Sequence, residues 1–210
     1  MKKVFILYCD EVYYKFYGTI LKSIEVFEPE ATTILHLINS TITGPNIVNQ
    51  SIEYDSPDKK AAHIICHKIK YMLETMANIE GDLYVQLDID MLLNRSLQID
   101  GTYDIGGFVI SPNKVAGGIL MAQKTDMAYK FLNEYNERLI NGFHYWDKDQ
   151  PLLARLYNEY IPKGLVWKQV GRDYLDYANS AESFIWSAHK SEFGNKDKRL
   201  AGFKRRVERI

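Results

Sequence analysis

Leu83-Tyr84-Val85-Gln86-Leu87-Asp88-Ile89-Asp90 is a short apolar run that stops at two carboxylates one residue apart. A run of this length, rich in Val, Leu and Tyr, predicts a strand in the core of a sheet. Ligands of open α/β sheets gather just beyond the carboxyl ends of such strands. Strand side chains alternate between faces, so Asp88 and Asp90 converge on one hard divalent cation only if the strand ends or kinks between them. A plain strand terminus, where Asp commonly opens a turn, is the other reading of the pair.

Outward from this run the chain alternates. Residues 4–9 predict a buried first strand, and residues 12–26 then set Tyr13, Phe16, Tyr17, Ile20, Leu21 and Ile24 at helical spacing. Residues 33–38 predict a second strand, followed by a loop with Gly44, Pro45 and Asn46. Ser56 and Pro57 offer an N-cap and a first-turn proline for a helix over residues 58–77 that leads into the Leu83 strand. Strand, helix, strand, helix, strand predicts an α/β protein whose mainly parallel sheet carries helices on its faces. Downstream, Asp100-Gly101, Gly106-Gly107, Ser111-Pro112-Asn113 and Gly117-Gly118 punctuate short β-rich pieces, which predict irregular strands and loops over the site. Residues 119–122 predict a strand, Thr125 caps a helix to about residue 139, and Pro151 lies in the first turn of another reaching about residue 160. The last fifty residues read as less regular.

With 210 residues, 46% hydrophobic and 25% charged, the chain has the composition of one globular domain with one substantial core. No repeat or low-complexity tract argues for a second domain. Met1-Lys2-Lys3 followed by residues 4–8 has the look of a signal sequence, but Asp10 and Glu11 cut the apolar run short. No stretch approaches the roughly 20 apolar residues of a membrane span. The expectation is a soluble cytoplasmic protein with no nucleic-acid partner. Cys9 and Cys66 lack both metal-site spacing and the density of a disulfide scaffold, and read as reduced thiols. The net charge of −1 hides an asymmetry: residues 189–210 hold eight Lys and Arg against three acids, a surplus of five that leaves −6 elsewhere. Such a tail suits phosphate, either of a small substrate or of an anionic membrane surface touched peripherally, and is equally a solvated terminal helix.

Three further places invite chemistry. On the 58–77 helix, positions 61, 65, 68, 72 and 76 share one face and are apolar except Lys68, whose ammonium must either reach water or meet an anion inside the cleft. Lys70 and His63 fall on the opposite face, where solvent explains them. Trp146-Asp147-Lys148-Asp149-Gln150-Pro151 places two acids and an amide at a helix start, where capping is the common use of Asp. Phe143, His144, Tyr145 and Trp146 crowd the same loop, and an aromatic face beside carboxylates also suits a sugar ring, which makes Trp146 and Asp147 acceptor-side candidates. Near the C-terminus, His189 offers a nitrogen that, with Asp88 and Asp90, gives a mixed donor set suited to Mn²⁺ better than Ca²⁺.

The order of these features resembles the metal-dependent glycosyltransferases of the GT-A fold, particularly glycogenin and bacterial galactosyltransferases. Asp10 with Tyr13 or Tyr14 resembles that family's pattern where the first strand meets the nucleotide. Lys68 matches its basic residue on the helix before the DxD strand, and Asp88-Ile89-Asp90 the DxD motif itself. Ala116-Gly117-Gly118-Ile119-Leu120 resembles its small-residue turn, with Gly118 on the donor side. Asp149-Gln150 looks like its acid and glutamine opening a later helix, and His189, Lys190 and Lys198 like its late metal-binding histidine and following lysines. Residues 191–198 depart from the family's Gly and Pro pattern around that histidine.

The resemblance implies a single GT-A domain with a Rossmann-like, mostly parallel mixed sheet. Residues 1–90 would form the nucleotide-binding half, 91–185 an irregular acceptor-side half, and 186–210 a basic tail. It implies Mn²⁺ or Mg²⁺ on Asp88, Asp90 and His189, a UDP-sugar donor, and a carbohydrate or other hydroxyl acceptor. Asp149 would be the base of an inverting attack, or Asp149 and Gln150 would stabilise the sugar cation of a retaining one, and the resemblance leans toward retention. Three rivals compete. A haloacid dehalogenase-type phosphatase also uses Asp-x-Asp, but expects Thr or Val where Leu92 stands. A nucleotidyltransferase expects a Gly- and Arg-rich loop where Cys9-Asp10-Glu11 stands. The third is a non-catalytic sugar- or nucleotide-binding module.

Overall fold

The computed structural model describes residues 1–53, 60–142, 149–188 and 196–209. The first part of the chain forms β1 (Lys3–Asp10), α1 (Tyr17–Phe27), β2 (Thr32–Ile38), β3 (Ile47–Gln50), α2 (Lys60–Cys66), α3 (Lys68–Asn78) and β4 (Leu83–Asp88). The remainder supplies β5 (Met91–Leu93), β6 (Ile105–Gly107), β7 (Val109–Ser111), β8 (Lys114–Val115), β9 (Ile119–Ala122), α4 (Asp126–Asn141), α5 (Asp149–Tyr160), β10 (Trp167–Gln169), β11 (Ile185–Ser187) and α6 (Lys196–Val207).

Among the described residues, seven strands build the main sheet in the order β10-β6-β9-β4-β1-β2-β3. β3, β2, β1 and β4 are parallel neighbours, β9 runs antiparallel to β4 and β6, and β10 is parallel to β6. β9 alone opposes the rest, so the sheet is mixed but mostly parallel, as the alternation of elements predicts. Both faces are covered, which explains why the strands are apolar at consecutive positions instead of alternating with polar residues. Phe5 and Leu7 of β1 pack in one layer with Ile20 and Ile24 of α1 and Phe203 of α6. Val4 and Ile6 pack in the other with Met72 of α3, Phe131 of α4 and Leu153 of α5.

Several local readings hold. β9 spans residues 119–122, and Thr125 accepts a hydrogen bond from the Ala128 amide (3.0 Å) at the start of α4. α5 runs from Asp149 to Tyr160 with Pro151 in its first turn. Others need correction. The segment over 12–26 begins as a short 3-10 turn at Tyr14–Phe16, and regular helix starts only at Tyr17. The single helix expected over 58–77 is two helices with a break at His67. The His67 imidazole donates through Nδ1 to the His63 carbonyl (2.8 Å), taking the place of the i to i−4 amide bond, while its own amide bonds the Ile64 carbonyl at 3.3 Å. The break rotates the first half, so Ala61 is exposed, and Ala62, His63 and Cys66 are buried. His63 therefore does not face solvent, as its place on one continuous helix predicts, whereas Lys70 does lie partly in solvent, near Glu74 (3.7 Å). The Ser56 and Pro57 start signal lies outside the described residues.

The pieces after Asp90 do more than cover the site, because β6, with β9 and β10, extends the main sheet. The basic C-terminal segment is a docked helix. Leu200, Phe203 and Val207 of α6 enter the core, and burying such side chains contributes about 1.5–3 kcal/mol each. Lys204 and Arg205 stay exposed. Both cysteines are buried and free, with burial raising their thiol pKa values to about 12 for Cys9 and about 11 for Cys66. Among the described residues no helix is long and apolar enough to cross a membrane.

His36 on β2 gives the fold a pH signature. Its ring stacks on Tyr71 (4.8 Å between centroids), lies 2.9 Å from the Thr75 hydroxyl, and accepts at Nδ1 from the Gln50 amide (3.0 Å). Burial, and secondarily the charge of Lys70, lowers its pKa from 6.5 to about 4. The unfolded chain therefore takes up this proton first as the pH falls. Stability is fully present above about pH 6.5 and is lost progressively down to about pH 4, by up to about 3 kcal/mol. Urea midpoints at pH 7 and pH 4.5 should converge between the wild type and His36→Gln. Parallel pH curves for the two proteins would remove His36 from this account.

Candidate active site

The carboxyl ends of β1 and β4 lie side by side, with Tyr8 opposite Asp88 in their parallel register. β4 stops at Asp88, Ile89 and Asp90 form a turn, and β5 resumes at Met91. That interruption is the condition under which two carboxylates spaced i, i+2 can address one ligand. The turn is pinned on both sides: the Asp88 amide donates to the Gly118 carbonyl (3.0 Å), the Ala188 amide donates to the Asp90 carbonyl (2.8 Å), and the Ile89 side chain is buried in the core. Asp90 is buried and Asp88 partly exposed. The Tyr8 hydroxyl donates to Asp88 Oδ1 at 2.7 Å. Burial raises the Asp88 pKa; Lys68 and the Tyr8 bond oppose the rise, and the charges of Asp90 and Asp149 add to it. Tyr177 senses the same pair, its phenol raised by burial and then by Asp88 and Asp90. Neither Tyr8 nor Tyr177 stands out in the sequence. The period-two alternation of β1 could have put Tyr8 beside the strand end, but no local pattern marks Tyr177.

Lys68, the first residue of α3, is 2% exposed and does not reach water. Its ammonium donates to Asp149 Oδ2 (2.6 Å) and to the Gly117 carbonyl (3.0 Å). The anion it meets is thus supplied by the first residue of α5. Burial by itself would lower the lysine pKa, and the charge of Asp149 more than reverses that, so the group is held charged. Asp149 Oδ1 accepts from the Gln150 amide (2.7 Å), a capping contact, and Gln150 is half-buried in the same first turn. The glycine pair separates this ion pair from the carboxylates. A Cβ at Gly117 would lie 2.4 Å from Asp149 Oδ2, and one at Gly118 would lie 3.2 Å from Asp88 Oδ2 and 2.3 Å from Met91 Cε. Residues without side chains at 117 and 118 leave room for Lys68 and Asp149 on one side and Asp88 on the other.

At the end of β1, Asp10 is buried, pairs with Lys60 (2.7 Å) and accepts from the Tyr13 amide at 3.2 Å. Tyr13 is exposed and stacks on Phe16, and Tyr14 stacks on Tyr17. Lys60, at the start of α2, is a partner of Asp10 that sequence reading does not find. Lys198 is exposed on α6. Trp146, Asp147, His189 and Lys190 lie outside the described residues.

The donor chemistry fits a hard divalent cation. Asp88 and Asp90 flank a tight turn, the charge of Asp90 adds to the rise of the Asp88 pKa, and Asp88 Oδ2 faces the bare Cα of Gly118. Among the described residues no group of three or more His, Cys, Asp or Glu side chains could hold a metal.

No protein-family model and no curated protein sequence matches the chain. Among solved structures, the galactosyltransferase LgtC in complex with donor and acceptor sugar analogs superposes over 100% of this chain and 96% of its own, with a TM-score of 0.54 and 14% identity. The likeness is one of fold: a mixed, mostly parallel sheet flanked by helices, of the GT-A, Rossmann-like kind.

Proposed function

We propose that this protein is a metal-dependent glycosyltransferase that moves a sugar from a nucleotide-sugar donor, a UDP-sugar, to an acceptor hydroxyl with retention of configuration. The observation that carries the reading is Asp88 and Asp90 at the broken end of β4, central in a GT-A sheet, with Lys68 and Asp149 one glycine pair away. Asp88, Asp90 and His189 would hold Mn²⁺ or Mg²⁺. When bound, the cation supplies charge neutralisation for the departing diphosphate.

The remaining roles belong to the chain. Asp10, Tyr13 and Tyr14 line the nucleotide side, and Ile89 and Gly118 border the donor. Lys68 fixes Asp149 and would add its positive charge toward the donor phosphates. Lys190 and Lys198 would add positive charge for the diphosphate, and Trp146 and Asp147 would serve the acceptor. A carboxylate whose Oδ2 already accepts from an ammonium at 2.6 Å serves as a fixed negative charge toward a sugar cation, which supports retention with Asp149 and Gln150 as the stabilising pair.

The test is a screen of UDP- and GDP-hexoses with Mn²⁺, reading release of nucleoside diphosphate. We expect slow donor hydrolysis that stops on chelation, and a product whose anomeric configuration by NMR matches the donor. Inverted product would reassign Asp149 as the base. No turnover of any donor, together with phosphate release from a generic phosphomonoester, would replace the transferase by a phosphatase.

A further inference from the structure

Asp88 has two oxygens, and the fold engages one of them in a hydrogen bond. Tyr8 stands opposite Asp88 on the neighbouring strand, and its hydroxyl donates to Oδ1 at 2.7 Å, while Oδ2 faces the side-chain-free Cα of Gly118. The Tyr8 ring is 7% exposed and packed among Ile38, Ile52 and Tyr71, so the hydroxyl is delivered by a wedged aromatic ring with little freedom to swing away. Calcium takes six to eight oxygens at longer distances and commonly engages a carboxylate through both, whereas magnesium-like ions are satisfied by six, one per carboxylate. We infer that Tyr8 is a positioning residue that makes Asp88 a one-oxygen ligand and thereby sets the site's preference for a small octahedral cation, Mn²⁺ or Mg²⁺, over Ca²⁺.

The inference rests on the metal-site reading of Asp88 and Asp90, and goes beyond it by assigning ion selectivity to a residue that acts through Asp88. Removing the hydroxyl with Tyr8→Phe frees Oδ1 while keeping the ring in its packing. A general loosening of the site would weaken both ions alike, so the ratio of affinities is the informative quantity.

The experiment is calorimetric titration of MnCl₂ and CaCl₂ into the full chain, with UDP at fixed concentration, for the wild type, Tyr8→Phe and the Asp88→Asn, Asp90→Asn variant. Circular dichroism and thermal melts verify folding, and Tyr8→Leu is the second hydroxyl-free variant should the phenylalanine protein not fold. The wild type should favour Mn²⁺ over Ca²⁺, and Tyr8→Phe should narrow that ratio by about tenfold, chiefly through tighter Ca²⁺. An unchanged ratio in Tyr8→Phe, with binding still dependent on the two aspartates, overturns the role of Tyr8 and leaves the metal site standing. Absence of binding of either ion to the wild type overturns both.

Discussion

Asp88→Asn combined with Asp90→Asn is expected to lower UDP affinity in the presence of Mn²⁺ by more than about a hundredfold, since loss of groups that merely support metal ligands already costs ten- to a hundredfold. The protein should remain folded. Asparagine keeps an acceptor for the Tyr8 hydroxyl and removes the charge that burial and Asp90 both disfavour at position 88. Its melting temperature without metal should therefore equal or exceed that of the wild type, the usual relation where function requires crowded like charges. The measurement is a nucleotide titration with and without chelator, paired with thermal melts. Affinity that ignores both the metal and the substitutions would sink the donor-site assignment, and a lost signal accompanied by a collapsed melt would attribute the effect to folding.

Lys68→Met carries the second large effect. It leaves the Asp149 carboxylate without its 2.6 Å partner in a site where both members are buried, and breaking such a pair from one side costs about 3–5 kcal/mol. For a chain of this size that is on the order of 10 °C in melting temperature. Adding Asp149→Leu should restore most of that stability, because an apolar pair of similar volume often matches a buried ion pair. Transfer should not return with it, since the proposed mechanism uses the Asp149 carboxylate at the reacting sugar. The contrast separates the structural work of the pair from its chemical work. A Lys68→Met melt within a degree or two of the wild type would show that the ammonium and carboxylate do not depend on one another.

The fold was largely legible in the chain because its strongest signals are local. Apolar runs at residues 4–9, 33–38 and 83–88 fall on three adjacent strands of the parallel core, and Thr125 and Pro151 mark the helices they were expected to start. The break at His67 was not legible, because it arises when one imidazole takes a carbonyl from the backbone, an option open to any histidine and exercised by few. Nor was the docking of α6, whose three core residues are spaced among seven charged ones in a segment that reads equally as a phosphate-binding tail or a solvated helix.

For the site, the sequence by itself determined the carboxylate pair at a strand end, the place of Lys68 on the apolar face of its helix and the acid that opens α5, since each sits on a short pattern of strand end, helix face or helix start. Only the tertiary structure decided which groups meet. Tyr8 reaches Asp88 across 80 positions, Lys68 reaches Asp149 across 81, and Lys60 reaches Asp10 from another element. Hydrogen bonds and ion pairs act over about 3 Å, and nothing in local spacing encodes which distant strand ends are brought within that distance. Parallel pairing of β1 with β4 and the bare Gly117-Gly118 backbone do so, which is why this chain's chemistry becomes specific only once the sheet is formed.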